Sequence, residues 1–381
     1  MGYHYGQTIR EYREKKSISM AKLASMWPSK EEGVTSRYVS DIERGKKHIS
    51  DITLLRELAK MLDIPLWKFG LSEYNPFQEE IEDISVFYNI DSLEQLIEDT
   101  WLIRQTVTMV FFAEKVDRLS AILEGYIRTY PLIKDNKDFL RLLAHSKRLE
   151  EVVFTERKHF DISLKCAYEM LSLACISGDM IAQAIAYTRI GVELLRDDDR
   201  NALEYLQKAC DMSLSLTKEV RAYCFAMLAR GHAQFGDYGL FERTIDVAIN
   251  CGDCMMGQAV ACKNYIYHAY SAILEEKSNG YILFGQGANA IATLPDVEKE
   301  VSRENNSYLK MWLPLDYAQA YLLQEEVEES LRYLQIFYES TQGYNSERIT
   351  SKIQDHLKSM CNLGYGELPE VKNFQEMYHS K

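Results

Sequence analysis

Apolar and polar positions alternate along this chain with a helical period rather than a strand period. Ile9, Tyr12 and Arg13 share one face of a first helix that ends at Lys15–Lys16. Ser19 is placed to cap a second short helix, Met20 to Trp27, with Leu23 and Ala24 facing inward. Pro28 and the polar stretch Ser29 to Gly33 end it. Thr35 is placed to cap a third helix, Ser36 to Glu43, and Gly45 supplies the left-handed residue after it. Leu54, Leu55, Leu58 and Leu62 line one face of a fourth helix, 52–62, and Pro65 opens a fifth short piece. Asn75–Pro76 then breaks the pattern. Beyond it the spacing predicts amphipathic helices over 92–113, 116–130, 137–154, 159–176, 180–196, 199–215, 219–235 and 238–250. Further helices follow over 257–276, 281–293, 307–324, 327–341 and 346–362. Turn signals punctuate them at Ser177-Gly178-Asp179, Asp197-Asp198-Asp199, Phe235-Gly236-Asp237, Cys251-Gly252-Asp253 and Gln342-Gly343.

The first seventy residues form a helix-turn-helix arrangement: two short helices, a turn, a helix opening on small polar residues, then supporting helices. Here the chain resembles a known family. Gly33-Val34-Thr35-Ser36-Arg37-Tyr38-Val39-Ser40-Asp41-Ile42-Glu43-Arg44-Gly45 is similar to the recognition-helix segment of Cro/CI-type (XRE) DNA-binding domains. Ile9 to Arg13, Leu23-Ala24 and the Leu54 to Leu62 series fall in the order of that family's core positions. There are two departures. Met20 stands where the family usually has Gln, and Pro28 to Glu32 lengthens the turn before the recognition helix.

A degraded repeat runs through the longer segment. Tyr187 to Gly191 with Ala202 to Leu206 is one unit, Met227 to Gly231 with Gly236 to Ala248 another, and Tyr317 to Tyr321 with Ser330 to Leu334 a third. Small residues in the first helix of each pair admit the second, and aromatics fill the gaps between pairs. The pattern resembles tetratricopeptide repeats with a period of roughly 34–40 residues, with armadillo-like or irregular helical arrays as alternatives. The expected fold is therefore all-α, a helix-turn-helix domain followed by a tetratricopeptide-like α-solenoid. Its expected divisions are a DNA-binding domain at 1–72, a linker at 73–90, and a sensor and dimerisation domain at 91–381.

Composition supports long helices, with only 7 prolines and 19 glycines in 381 residues. The longest apolar run, Val107 to Ala113, falls well short of the ~20 residues of a membrane span. The first residues lack the apolar core of a secretory signal, so the expected location is cytoplasmic, with the eight cysteines reduced. Charge changes the picture more. The net charge is −13, yet residues 1–70 hold 13 Lys and Arg against 9 Asp and Glu, whereas the rest holds 31 against 48. A basic unit on an acidic body confines phosphate contacts to one face.

Catalytic and metal chemistry are weakly signalled. Cys251-Gly252-Asp253-Cys254 has no second close pair, although Cys262 and His268 follow, and a helix end accounts for it. Gly285-Gln286-Gly287 lacks the preceding strand and third glycine of a dinucleotide loop. His145 and His159, flanking Glu150-Glu151, read as surface residues. No catalytic residue, metal site or cofactor is expected, and the chain does not read as an enzyme.

For DNA, the start of the third helix projects Thr35, Ser36, Arg37, Tyr38 and Ser40 toward base edges, and Arg37 can pair bidentately with guanine. Arg44, Lys46 and Lys47 suit phosphates. Fusion of such a reader to a helical repeat resembles the peptide-pheromone receptors of the Rgg, PlcR, NprR and PrgX group. That resemblance implies a transcription regulator whose concave face binds a short signalling peptide. Asn264, Arg230 and Arg189 are apt for peptide backbone, and Tyr223, Tyr267 and Tyr317 for apolar peptide side chains. The alternative is a body that serves only dimerisation or a partner protein. The expected partners are a double-stranded DNA operator, a signalling peptide and a second copy of the chain, with no membrane.

Overall fold

Capping chemistry starts three of the first four helices. The computed structural model describes residues 5–28, 33–69, 71, 90–104, 108–258, 266, 268–344 and 346–379. It divides into two units, residues 1–89 and 90–381. In the first, α1 (Tyr5–Lys15) is followed by α2 (Met20–Ser25), whose Lys22 amide donates to the Ser19 hydroxyl at 3.1 Å. α3 (Ser36–Glu43) begins where the Tyr38 amide donates to Thr35 Oγ1 at 3.3 Å. α4 (Ile52–Leu62) begins at Asp51, whose carboxylate accepts from Thr53 N and Leu54 N. Ile9, Leu23, Val39, Ile42, Leu58 and Leu62 close the core between them. Residues 29–32 of the lengthened turn, residue 72, and 73–89 of the expected linker lie outside the described residues.

The second unit runs through α5 (Ile90–Ile103), α6 (Met109–Thr129), α7 (Lys137–Glu156), α8 (Phe160–Ser177), α9 (Met180–Leu195) and α10 (Asn201–Ser213). It continues through α11 (Lys218–Gln234), α12 (Tyr238–Gly252), α13 (Tyr270–Leu283), α14 (Gly287–Glu304), α15 (Ser307–Leu323) and α16 (Val327–Ser340). α17 (Glu347–Asn362) and α18 (Pro369–His379) complete it. The described residues include no strand, and the protein is all-α: a helix-turn-helix unit followed by repeated antiparallel helix pairs.

Close packing within pairs follows from small side chains. A Cβ on Gly191 of α9 would meet the Leu206 side chain of α10 at 2.5 Å, so only glycine admits that approach. Three expectations for helix limits need correction, and one helix is additional. The helix expected over 92–113 is two: α5 stops at Ile103, and the Thr108 hydroxyl accepts from Phe111 N to start α6. The helix expected over 257–276 is not continuous: Gly257 is left-handed (φ 70°), Ile266, His268 and Ala269 are not helical, and α13 starts at Tyr270, while 259–265 and 267 lie outside the described residues. α14 runs through Pro295 rather than stopping at 293. Burial of Ala290, Leu294, Val297 and Val301 along one face offsets the ~3 kcal/mol of an interior proline. α18 was not expected. Pro369 opens it, and Val371 and Phe374 are buried beneath it.

The repeat closes on itself. The Met109 amide donates to the Tyr344 carbonyl at 3.0 Å, and Lys158 Nζ to Ser351 Oγ at 2.9 Å. Between them Glu156 of α7 accepts from Ser346 Oγ (2.6 Å), Tyr308 Oη (2.9 Å) and Arg348 (3.2 Å). A buried carboxylate with three donors is fully satisfied, and burial notwithstanding, the Arg348 and Arg104 guanidiniums hold Glu156 below the usual carboxylate range.

Candidate DNA-reading face and central cavity

α3 presents its first turn outward. Thr35, Ser36 and Arg37 are exposed, whereas Val39 and Ile42 anchor the opposite side. Ser40 is half-buried. Tyr38 is half-buried too, edge-on to Trp27 at 5.7 Å, with Lys47 Nζ 4.7 Å above its ring. Its ring is thus partly committed to packing and to positioning Lys47. Gly45 turns the chain at φ 72°, and the Lys46 and Lys47 amides both donate back to the Asp41 carbonyl. This places exposed Arg44, Lys46 and Lys47 together at the far end of α3. Glu43, acidic beside so many cations, is engaged elsewhere: Arg13 grips it with two bonds of 2.6 and 3.0 Å while donating to the Ile18 carbonyl.

In the body, the first helix of each pair faces a central cavity of about 750 Å³. α7, α9, α11, α13, α15 and α17 supply its wall, with the end of α5. Arg189, Tyr223 and Arg230 lie on that wall. Tyr317 does not. It is stacked in the core against Tyr333 at 4.7 Å, since the α15 residues facing inward are Trp312, Leu315, Asp316 and Gln319. Asn264 and Tyr267 lie outside the described residues.

The wall is ionic, and much of it was not read from sequence. Glu151 is buried between Arg148 (2.7 Å) and Arg189 (2.5 Å). Burial alone would raise its pKa. The two guanidiniums outweigh that and hold it at about 2. Glu193 bridges Arg189 (3.0 Å) and Arg196 (2.8 Å), and Glu276 pairs with Arg230. His145 is also buried rather than superficial, 3.9 Å from Asp179 across the α7–α9 packing, while His159 is exposed. Beside the Arg230–Glu276 pair, Glu275 and Asp316 adjoin each other on the cavity wall. Burial and neighbouring carboxylates push Asp316 up to about 8 and Glu275 well above its usual range, so the pair retains a proton at neutral pH.

Among the described residues no His, Cys, Asp or Glu side chains converge as a metal cluster. Cys251 ends α12 and Cys254 donates back to the Cys251 carbonyl at 3.3 Å, a local turn contact. No described helix is long and apolar enough to cross a membrane. No family model matches the chain, and no curated protein matches it in sequence. Among solved structures it is similar to PlcR of Bacillus thuringiensis, crystallised in complex with the peptide PapR7 and DNA. The likeness covers 100% of both chains at 11% identity, with a TM-score of 0.38.

Proposed function

We propose that the protein is a sequence-specific, DNA-binding transcription regulator of the cytoplasm whose helical body binds a short peptide that changes its affinity for DNA. The observation that carries the reading is the pairing of two surfaces on one chain. One is a Thr35-capped helix offering Ser36 and Arg37 with Arg44, Lys46 and Lys47 behind them. The other is a cavity walled by arginines and carboxylates. Its ~750 Å³ lies within the ~300–1,000 Å³ of small-ligand sites, room for a few residues of peptide and none for a folded partner. Charged side chains interleaved with Trp101, Met227, Trp312 and Leu315 suit a peptide, whose backbone is rich in donors and acceptors and whose side chains can be apolar. The working unit is a homodimer, because one recognition helix spans only one half-site and two half-sites ~34 Å apart give operator specificity.

The test begins with selection of duplexes from a random-sequence pool by the full chain, followed by anisotropy measurements on the enriched duplex with and without short synthetic peptides. Enrichment of a two-half-site sequence whose affinity some peptides alter supports the reading. Absence of any enriched sequence overturns it. Enrichment with no peptide effect leaves a regulator whose body only dimerises.

A further inference from the structure

We infer that the arginine end of the central cavity is a carboxylate-binding subsite, built from Arg148, Arg189, Tyr223 and His268, which takes an anionic group of the peptide. The inference rests on the peptide reading above and names the chemistry by which that site recognises its ligand.

The first argument is unspent hydrogen-bonding capacity. Among the described residues, Arg148 Nε, the Tyr223 hydroxyl and His268 Nε2 have no hydrogen-bond partner, and all three residues line the cavity. Arg148 is 8% exposed and Tyr223 2%. Buried polar groups are almost always paired, and leaving one unpaired costs ~1–3 kcal/mol. Three such groups on one wall, each able to donate, mark a place where an acceptor belongs. Tyr223 and His268 are neighbours, their rings edge-on with centres 5.0 Å apart, and both lie within electrostatic reach of Arg148 on the cavity wall.

Charge gives the second argument. Arg148, Arg189, Arg196 and Arg230 pair with Glu151, Glu193 and Glu276 on this side. Among the described residues Arg104 makes no salt bridge of its own; it packs over Tyr308 at 4.3 Å, and the carboxylate within its electrostatic reach, Glu156, is bonded to Arg348. The wall therefore carries surplus positive charge inside a body whose sequence is strongly acidic. Burial, with Arg230, Arg148 and Arg189 close by, lowers His268 to about 3, so it stays neutral and meets an incoming anion as a hydrogen-bond partner rather than a cation. Hydrogen bonds from a guanidinium to a carboxylate are strong and geometrically selective.

The carboxylate has two sources, the C-terminus of the peptide or an Asp or Glu side chain. Matched heptapeptide libraries separate them: identical sequences as free acids or C-terminal amides, with or without Asp and Glu, applied to the full chain and read by mass spectrometry of the retained fraction. Citrate, read by thermal shift, probes the anion alone. Retention of free acids over their amides by about tenfold or more supports the inference with the C-terminus as the source. Retention of Asp- or Glu-containing peptides whatever their terminus supports it with the side chain as the source. Peptide binding indifferent to both overturns it and leaves the peptide reading intact. Stabilisation by citrate with no peptide retained upholds the anion subsite and overturns the peptide reading. Neither probe binding overturns both.

Tyr223→Phe is the gentle variant, because the hydroxyl it removes has no hydrogen-bond partner among the described residues. Its melting temperature should equal or exceed that of wild type, since an unpaired buried hydroxyl is removed, while its affinity for the retained acidic peptide falls about tenfold. Wild-type affinity in this variant, or a drop in the melting temperature of the free protein, overturns the role given to Tyr223.

Discussion

The Arg13–Glu43 pair offers the sharpest test of how α3 is held. Glu43 sits in the last turn of α3 and Arg13 in α1, with side chains 5% and 8% exposed. Two bonds of 2.6 and 3.0 Å join them, and the third arm of the guanidinium reaches the Ile18 carbonyl at 2.9 Å. Removing one partner of a buried pair costs ~3–5 kcal/mol, because the other charge is left uncompensated. Glu43→Gln keeps the shape and one acceptor oxygen, which brings the expected cost to ~2–4 kcal/mol. A unit of this size holds only roughly 3–10 kcal/mol in total, so much of its stability is at stake. The assay is backbone hydrogen exchange on the full chain, which resolves this unit from the body. Protected amides of α1, α3 and α4 should exchange ~30- to 900-fold faster, at ~1.4 kcal/mol per factor of ten. The double variant Arg13→Met with Glu43→Leu removes both charges and should return most of that protection. An increase below about fivefold in Glu43→Gln, or a double variant no better than the single one, refutes the reasoning.

Arg37→Ala should weaken binding to the selected operator by ~1–3 kcal/mol, whereas Lys47→Ala should weaken binding to every sequence and lower the salt slope by about one. Anisotropy titrations at several salt concentrations distinguish the two. His356 is buried against Ser330 Oγ at 2.9 Å, and burial lowers it from 6.5 to about 4. The unfolded chain then binds the proton first, so body stability should fall as pH drops from about 6.5 toward 4, and His356→Gln should flatten that slope in pH-dependent urea melts. Asp316 runs the other way. Its carboxyl is raised to about 8, so the stability it contributes is present at low pH and lost as pH rises through that value. Asp316→Asn should accordingly raise the melting temperature of the body at pH 8–9 and change it little near pH 4.

What the sequence disclosed was local. Ser19 and Thr35 as caps and Gly45 as the left-handed stop depend on three or four neighbouring residues, and each is found in place. The turn at Gly178 and the left-handed Asp198 are legible for the same reason. Helical spacing also groups Tyr317 with Tyr321 correctly, as both stack on Tyr333. Spacing cannot say which face of a helix turns inward, and there the reading of Tyr317 failed. Ring closure was invisible, since Glu156 and Ser346 are 190 positions apart and no local pattern joins them. The burial of Arg148 and Glu151 was hidden by their charge, which on a single helix reads as a solvated stripe.

That ionic wall explains how the body can carry a binding surface without depending on it for its fold. Desolvating paired charges roughly offsets their attraction, so the links from Arg148 through Glu151 to Arg189 add little net stability. Stability comes instead from the layer between inner and outer helices, where Ala184, Ile185, Ala222, Ala226 and Phe241 are fully buried. The tightness of that layer is visible at Gly280, where a Cβ would overlap the Phe241 ring. Volume changes there strain the pair, and a larger side chain costs ~1–3 kcal/mol. Changes on the inner wall act through charge and unpaired donors. Two sets of substitutions, one in each layer, therefore separate the scaffold from the site: the first moves the melting temperature, the second moves ligand affinity.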